Sequence, residues 1–524
     1  MKDNRQQIMT LAEQRVRLLY ADAYTRALKI AEVRKALDAA TDTNFTFKAN
    51  PRAEKELKKI LQALGVNLDK LITDGKAGMA KKGVTAAEDN ILAIVAKSDK
   101  PTAERLIQAA TNTNRVAQAL GTELANEKRG GVKLSPKVWK TVESSRKELE
   151  IIIQNNIIEG KGADVASREV RQYLKDPNKL FRRVKDKETG EYKLSKAAQQ
   201  YHPGRGRYRS SYMNARRLTV TEMNMATQAA ESAAYASNPL IAGYEIRLSN
   251  NHTVKDPSKK GGVKPLHDIC DELQGRYPAT FKFTGWHPHC RCTMIPILIS
   301  AEERRKLAKA RAEGKDYQPK GVITEMPANF NKWLEDNADR IERAKSLPYF
   351  LQDMNDPKEM AERRDEFMKY ATSPDYKDTY FDINSGGFLA VHKEHQFADT
   401  KAEGAVMTGG EAETYVGRLL ATKNAKQVEF LPENGKSTGK PDLSFDGKTW
   451  DVKYISKANE NTIRKYIEDA RKADCAIFCW DEQNKLAELK NAMSRTIGKY
   501  KKKGGLDALP NVYYINEDGM LKKL

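Results

Sequence analysis

The residue types best suited to chemistry lie in one short segment, Lys440-Pro441-Asp442-Leu443-Ser444-Phe445-Asp446-Gly447-Lys448-Thr449-Trp450-Asp451-Val452-Lys453. Asp446-Gly447 is favoured in a two-residue type I′ hairpin turn, because both central residues of that turn need positive φ. Such a turn sets Phe445 against Lys448, Ser444 against Thr449, Leu443 against Trp450 and Asp442 against Asp451. Alternation along the strands then gives two faces. Leu443, Phe445, Trp450, Val452 and Tyr454 share a packing face; Asp442, Ser444, Thr449, Asp451 and Lys453 share the other. Carboxylates facing each other at about 5 Å repel unless a cation neutralises them. Mg²⁺ suits such oxygen donors, with Mn²⁺ as the alternative. Lys453 can orient or deprotonate an attacking water and offset phosphate charge, so the expected reaction is metal-assisted hydrolysis of a phosphodiester.

A second constellation is His267-x2-Cys270 followed by His287-x-His289-Cys290-x-Cys292. Paired ligands followed about 20 residues later by a second cluster match the spacing of structural zinc sites. His267, Cys270, Cys290 and Cys292 are the preferred four, and His287 or His289 could replace one. The competing reading is a reduced, unligated turn held by Trp286 and Pro288. Cys475 and Cys479 fall on one face of an apolar run, where core packing is expected.

Composition narrows the partners. The net charge of +20 over 524 residues is the usual footprint of a polyanion, without separating RNA from DNA. No apolar run approaches the ~20 residues that span a bilayer, so no membrane partner is expected. The polar N-terminus lacks a signal-peptide core, and synthesis in a cytoplasm is the expectation.

The elements that must hold these residues are legible in outline. Residues 1 to about 200 read as helices, with rhythms such as Ile8, Leu11, Val16, Leu19 and Ala23, and Leu57, Ile60, Leu61, Leu64 and Val66. Ser135-Pro136 reads as a helix start. His202 to Arg207 is a basic loop before a helix running from Ala215 to about Ala236. Tyr244 to Leu248 and Met294 to Leu298 read as strands around the Cys/His segment. Charged helices follow at 302–313, 329–345 and 357–371. Beyond Ser373-Pro374-Asp375 the pattern turns α/β: a helix through Glu411 to Leu420, strand Gln427 to Leu431, the hairpin, a helix carrying Ile463 and Ile467, and strand Cys475 to Trp480. Glu413, unlike Glu411, lies on the face of Val416 and Leu420. Lys501, Lys502 and Lys503 could contact phosphates, or form a solvated helix end. Phe388, His392, His395 and Gln396 leave room for a histidine-based, metal-free nuclease.

Two family resemblances follow from these residues. His267-Asp268-Ile269-Cys270 and Gly285-Trp286-His287-Pro288-His289-Cys290-Arg291-Cys292 resemble the signature of phage Mu F-like minor head (head morphogenesis) proteins. His267 stands where that family has its first cysteine. The helix from Ala215, with Arg216, Arg217, Thr221 and Glu222, is similar to a second family segment. The resemblance spans roughly residues 130 to 300. It implies a virion component near the portal, with portal and head proteins as partners and no enzymatic activity in this part.

The order helix, three strands, helix, strand resembles the αβββαβ core of PD-(D/E)XK nucleases, with Asp442, Asp451 and Lys453 at the matching positions; the resemblance implies that a glutamate of the first helix, Glu413 in preference to Glu411, completes the metal site. Glu413 to Trp480 is similar to the C-terminal nuclease domains of contact-dependent growth inhibition toxins, although Asp451 stands where many relatives have glutamate. That resemblance implies an RNase, with tRNA as one substrate, and a small immunity protein as a partner. The expectation is thus a multidomain α+β chain: a helical N-terminal region (1–130), a Mu F-like domain with a small Cys/His-rich β element (131–300), a charged helical linker (301–377) and a PD-(D/E)XK-like nuclease (378–524). A purely structural virion protein with an inactive C-terminal module, and a DNA-processing nuclease, are the alternatives.

Overall fold

The computed structural model describes residues 4–39, 45–95, 134–158, 161–175, 183–185, 189, 192–194, 210–249, 252–255, 262–344, 347–352, 354–401, 405–433, 440–456, 459–480, 485–502 and 509–524. The basic loop expected at 202–207 and Lys503 lie outside them.

The first part is helical, as the periodicity predicts. Its helices are α1 (Asn4–Leu28), α2 (Ala31–Ala39), α3 (Pro51–Val95), α4 (Leu134–Ile158), α5 (Ala163–Lys175) and α6 (Ser211–Ser237). Val16, Tyr20, Leu57, Leu61, Leu149, Ile152 and Val170 fill one core. Leu11 and Val66, counted in the sequence rhythm, are instead exposed. The helix expected to be capped by Ser135 already includes Leu134. α3 and α6 approach closely at Gly83, where an added Cβ would collide with the Thr227 carbonyl. Ser210 caps α6 by accepting a hydrogen bond from Met213 N at 3.0 Å.

Short strands β1 (Arg183–Lys185) and β2 (Tyr192–Leu194) pair antiparallel. A three-stranded sheet then places β3 (Ile241–Arg247) between β6 (Gly275–Pro278) and β7 (Thr293–Leu298), and β4 (Thr253–Lys255) pairs with β5 (Val263–Pro265). Helix α7 (Ile269–Glu272) precedes β6. Helices α8 (Ala301–Ala312), α9 (Ala328–Asp336), α10 (Ala338–Glu342), α11 (Tyr349–Gln352) and α12 (Pro357–Thr372) follow β7. The helix expected at 329–345 is split at Asn337, whose amide side chain donates to Trp333 O at 2.9 Å. No helix among the described residues is long and apolar enough to cross a membrane.

The last part is a mixed α/β unit on an eight-stranded sheet. In spatial order it runs β15 (Leu521–Lys523), β14 (Asn511–Ile515), β13 (Cys475–Trp480), β12 (Lys448–Ile455), β11 (Leu443–Phe445), β10 (Gln427–Phe430), β9 (Phe388–His392) and β8 (Tyr376–Phe381). β9–β10, β12–β13 and β13–β14 are parallel pairs; the others are antiparallel. The sequence pattern covers β10 to β13, and β8, β9, β14 and β15 widen that set. Helices α13 (Gly409–Asn424), α14 (Glu460–Asp469) and α15 (Leu486–Lys502) cover the sheet.

Each sheet face has its own core. Val416 and Leu420 of α13 pack with Phe430, Leu443, Phe445, Trp450 and Ile477, and buried Cys475 and Cys479 join this core as expected. Ile463, Ile467 and Leu489 pack with Ile455, Phe478 and Val512 on the other side. The first of these cores also takes in Phe367 and Met368 of α12 and Ala226 and Ala230 of α6. The segment read as a linker therefore supplies a packed helix. Arg364 of α12 reinforces the join, its buried guanidinium donating to the carbonyls of Ala236, Asn238 and Ile241.

Candidate functional site

The hairpin register is the one the turn dictates: Phe445 opposite Lys448, Ser444 opposite Thr449 and Leu443 opposite Trp450. Asp446 and Gly447 have φ of 51° and 68°, as a type I′ turn requires. Asp442 sits one residue before β11, its N–H donating to Trp450 O at 2.9 Å and its carbonyl accepting from Leu431 N at 3.0 Å. This fixes its backbone between β10 and β12. Its carboxylate turns toward β12, where Oδ2 accepts from Val452 N at 2.6 Å.

Asp451 lies in the middle of β12 and is wholly buried. Two ammonium groups hold it: Lys453 Nζ at 2.7 Å from Oδ2 and Lys472 Nζ at 2.9 Å from Oδ1. Lys472 also reaches Asp442 Oδ1, at 3.5 Å. One ammonium thus touches both opposed carboxylates. Burial raises the Asp442 carboxyl well above its ordinary range, and the neighbouring charges of Asp451 and Glu413 push the same way against Lys472. Burial opposes the Lys472 ammonium, yet Asp442 and Asp451 hold its pKa above the usual lysine value.

α13 brings in Glu413. Glu411 is occupied elsewhere, because Thr408 and Glu411 form a capping box at the helix start. Glu413 faces inward, with Oε2 at 3.3 Å from Nε2 of a fully buried His395. His395 Nδ1 lies 2.8 Å from Leu431 O, and Phe397 and Phe430 pack around the ring. His395 Nε2 and Glu413 Oε2 are buried with no further hydrogen-bond partner among the described residues, whereas both Asp451 oxygens are met by the two lysines. Orphaned polar atoms in a protein interior call for a ligand, a water or an ion. The aspartate pair has Lys453 and Lys472 as its counter-charges, and the groups of three or more metal-ligating donors among the described residues lie in the Cys/His segment instead.

Of the four residues expected from sequence, Asp442, Asp451 and Lys453 come together with Lys472, while Glu413 lies against His395. Lys472 was missed, since it lies 19 residues after Lys453 on a 3₁₀ turn (Ala470–Lys472) that only the crossover from β12 to β13 brings back. His395 was read as part of a separate metal-free site and instead lies against Glu413. Of the basic helix end, Lys501 is exposed at the last turn of α15. Nearby, Lys499 Nζ pairs with Glu468 Oε1 at 2.6 Å, and Arg471 lies 5.6 Å from the centre of the Tyr500 ring.

The Cys/His segment forms a second candidate site. Cys270, Cys290 and Cys292 are buried with their sulfurs mutually within 4.8 Å. Cys270 Sγ lies 3.8 Å from Cys290 Sγ and 3.0 Å from His287 Nε2. The expected fourth ligand, His267, is instead 83% exposed, with Nδ1 3.7 Å from Asp271 Oδ1. His287 lies nearer, its Nε2 3.0 Å from Cys270 Sγ and 3.3 Å from Asp268 Oδ2, and its Nδ1 2.7 Å from Pro288 O. Hydrogen bonds from Cys270 and Cys292 hold the Cys290 thiol well below its ordinary pKa, although burial opposes this. α6 secures the loop through residues spaced along one face: Asn224 donates to Cys290 O, Gln228 to Cys292 O, and Thr221 Oγ1 accepts from His289 N. A tetrahedron with zinc–sulfur bonds of about 2.3 Å has edges of about 3.8 Å, the spacing of Cys270 and Cys290. The donor set fits zinc.

No protein-family model, curated protein or solved structure matches this chain.

Proposed function

We propose that the C-terminal sheet carries a metal-dependent nuclease of the PD-(D/E)XK kind. The observation that carries this reading is the buried pair Asp442 and Asp451, on opposed strands, bridged by Lys472 and flanked by Lys453. Glu413, Asp442 and Asp451 would hold a Mg²⁺ or Mn²⁺ ion. Such an ion supplies Lewis acidity and an acidified water to phosphodiester hydrolysis. Lys453 stands beside Asp451, where its ammonium can orient the attacking water and offset phosphate charge. Lys472 adds a second positive group to the same site.

Nucleic acid is the proposed substrate, with RNA, tRNA included, ahead of DNA on resemblance. The +20 net charge and the basic surface of Arg471, Lys499, Tyr500 and Lys501 support a polyanion partner.

The middle of the chain supports a Mu F-like minor head protein, with a structural zinc on Cys270, Cys290, Cys292 and His287. On that reading the chain is made in a host cytoplasm, rides in the virion near the portal and acts in the infected cell. Portal and head proteins are its assembly partners, and an immunity protein is the partner implied for the nuclease.

The test is incubation of the full chain with tRNA, single-stranded DNA and duplex DNA, with Mg²⁺ or Mn²⁺ and with EDTA. The full chain is needed because α12 and α6 share the core of the sheet. Metal-dependent cleavage removed by Asp451→Asn is expected. Survival of every substrate would favour a structural virion protein, and preference for duplex DNA would favour a DNA-processing enzyme.

A further inference from the structure

Beside the three sulfurs lies a second set of metal-ligating atoms, which the zinc reading uses only in part. His252, Asp268 and Cys270 each offer one ligand atom, and these atoms lie within 4.8 Å of one another. The β4–β5 hairpin brings them together. His252 stands just before β4, and its carbonyl accepts from Leu266 N at 3.1 Å, close to Asp268 in sequence. His252 Nε2 lies 3.4 Å from Asp268 Oδ1. That is the edge of a tetrahedron whose zinc–nitrogen and zinc–oxygen bonds are about 2.1 Å. Asp268 Oδ1 accepts from Cys270 N at 2.8 Å, and a carboxylate oxygen keeps a second lone pair for a cation. Asp271 Oδ2 also lies 3.2 Å from the imidazole nitrogen, but it accepts from Asp268 N and closes the capping box of α7. The side chains of His252 and Asp268 are 13% and 26% exposed, so an ion can reach them from solvent.

We propose that the Cys/His segment is a two-ion centre in which Cys270 Sγ is shared, with a second zinc ion on His252, Asp268 and Cys270 beside the zinc held by the sulfurs. The inference rests on the zinc reading of the sulfurs and adds an ion to it. Metal-bound cysteines are thiolates. Three thiolates outweigh one Zn²⁺, and Asp268 adds negative charge beside them, its Oδ2 3.3 Å from His287 Nε2. A second dication balances that excess. A thiolate sulfur has several lone pairs, so Cys270 can bind one ion toward Cys290, 3.8 Å away, and another toward His252. Thiolate, imidazole and carboxylate are all zinc ligands, and three of them leave the fourth position to water. With fewer protein ligands and a shared sulfur, the second ion is the weaker one and exchanges with solvent. Bound, it ties the β4–β5 hairpin to the Cys loop.

The experiment uses the purified full chain, dialysed until one equivalent of zinc remains and then titrated with CoCl₂, with zinc content followed in the same samples. Co²⁺ accepts the same ligands as zinc. Cobalt on a thiolate gives a near-ultraviolet charge-transfer band, which cobalt on carboxylates alone lacks, so binding at Asp442 and Asp451 is not mistaken for it. The wild type should take up one cobalt with that band while keeping its zinc. Asp268→Asn keeps a side-chain oxygen to cap α7 and removes the charge. This variant and His252→Ala should each weaken the cobalt by about 10-fold or more and leave the zinc in place. Absence of the band in the zinc-loaded wild type overturns the inference without need of any variant, and so does cobalt that enters only as zinc leaves. A band unaltered in both variants overturns it too, as expected if His252 merely donates to Asp271. In these cases the retained zinc, lost in Cys292→Ser, leaves the zinc reading standing. If the wild type holds no zinc at any stage of dialysis, that reading falls, and the shared thiolate falls with it.

Discussion

Lys472 Nζ lies 2.9 Å from Asp451 Oδ1, so the chain's own cation sits on the buried carboxylate that a metal would bind. The same ammonium touches Asp442. Lys472 should therefore matter most when no metal is bound. Lys472→Met is expected to lower the melting temperature in EDTA by several degrees, because it leaves two neighbouring carboxylates without that counter-charge. Added Mn²⁺ should restore more stability to this variant than to the wild type. Melting curves with and without metal provide the check.

Asp442→Asn should act in the opposite direction. Burial and the charges of Asp451 and Glu413 raise the Asp442 carboxyl, so ionising it costs the folded chain stability. The unfolded side chain ionises near pH 3.9. The contribution of the protonated group is full below that pH and is lost as pH rises through the higher folded value. In EDTA at pH 7 the variant should melt a few degrees above the wild type, and the gap should widen as pH rises from 4. The same variant should lose metal-induced stabilisation and cleavage. Melting temperature against pH, with and without Mn²⁺, separates these effects.

Asp451→Asn is expected to reduce cleavage by about 10³-fold or more while leaving the far-ultraviolet circular dichroism unchanged, since a metal ligand is lost but the shape is kept. Cleavage unaffected by this change or by EDTA would refute the metal mechanism.

The Cys/His cluster makes a separate claim about stoichiometry. The full chain should bind one equivalent of zinc, lost in Cys290→Ser and strongly weakened in His287→Ala. His267→Ala should retain it, because that ring is 83% exposed and away from the sulfurs. Metal content after dialysis decides between the two histidines.

Gly447 offers a control on the hairpin itself. Its φ of 68° lies in the left-handed region, but an added Cβ would meet nothing within 4 Å. Gly447→Ala should therefore cost only the backbone penalty, about 1 kcal/mol. Denaturant unfolding provides the measurement.

The sequence by itself determined the local parts of this protein. Asp446-Gly447 dictated the register of β11 and β12 because only a few residues tolerate positive φ twice in succession. Helical spacing separated Glu413 from Glu411, since one face of α13 packs and the other caps. Only the tertiary structure decided what arrives from a distance. Lys472 returns through the β12–β13 crossover, His395 enters from the loop after β9, and His287, not His267, comes beside Cys270 in a loop that Asn224 and Gln228 of α6 hold. The division has one physical cause. Turn geometry and side-chain periodicity act over a few residues, whereas the meeting of two segments depends on how sheets and helices bury their apolar faces together, as in the core joining α6, α12 and the eight-stranded sheet.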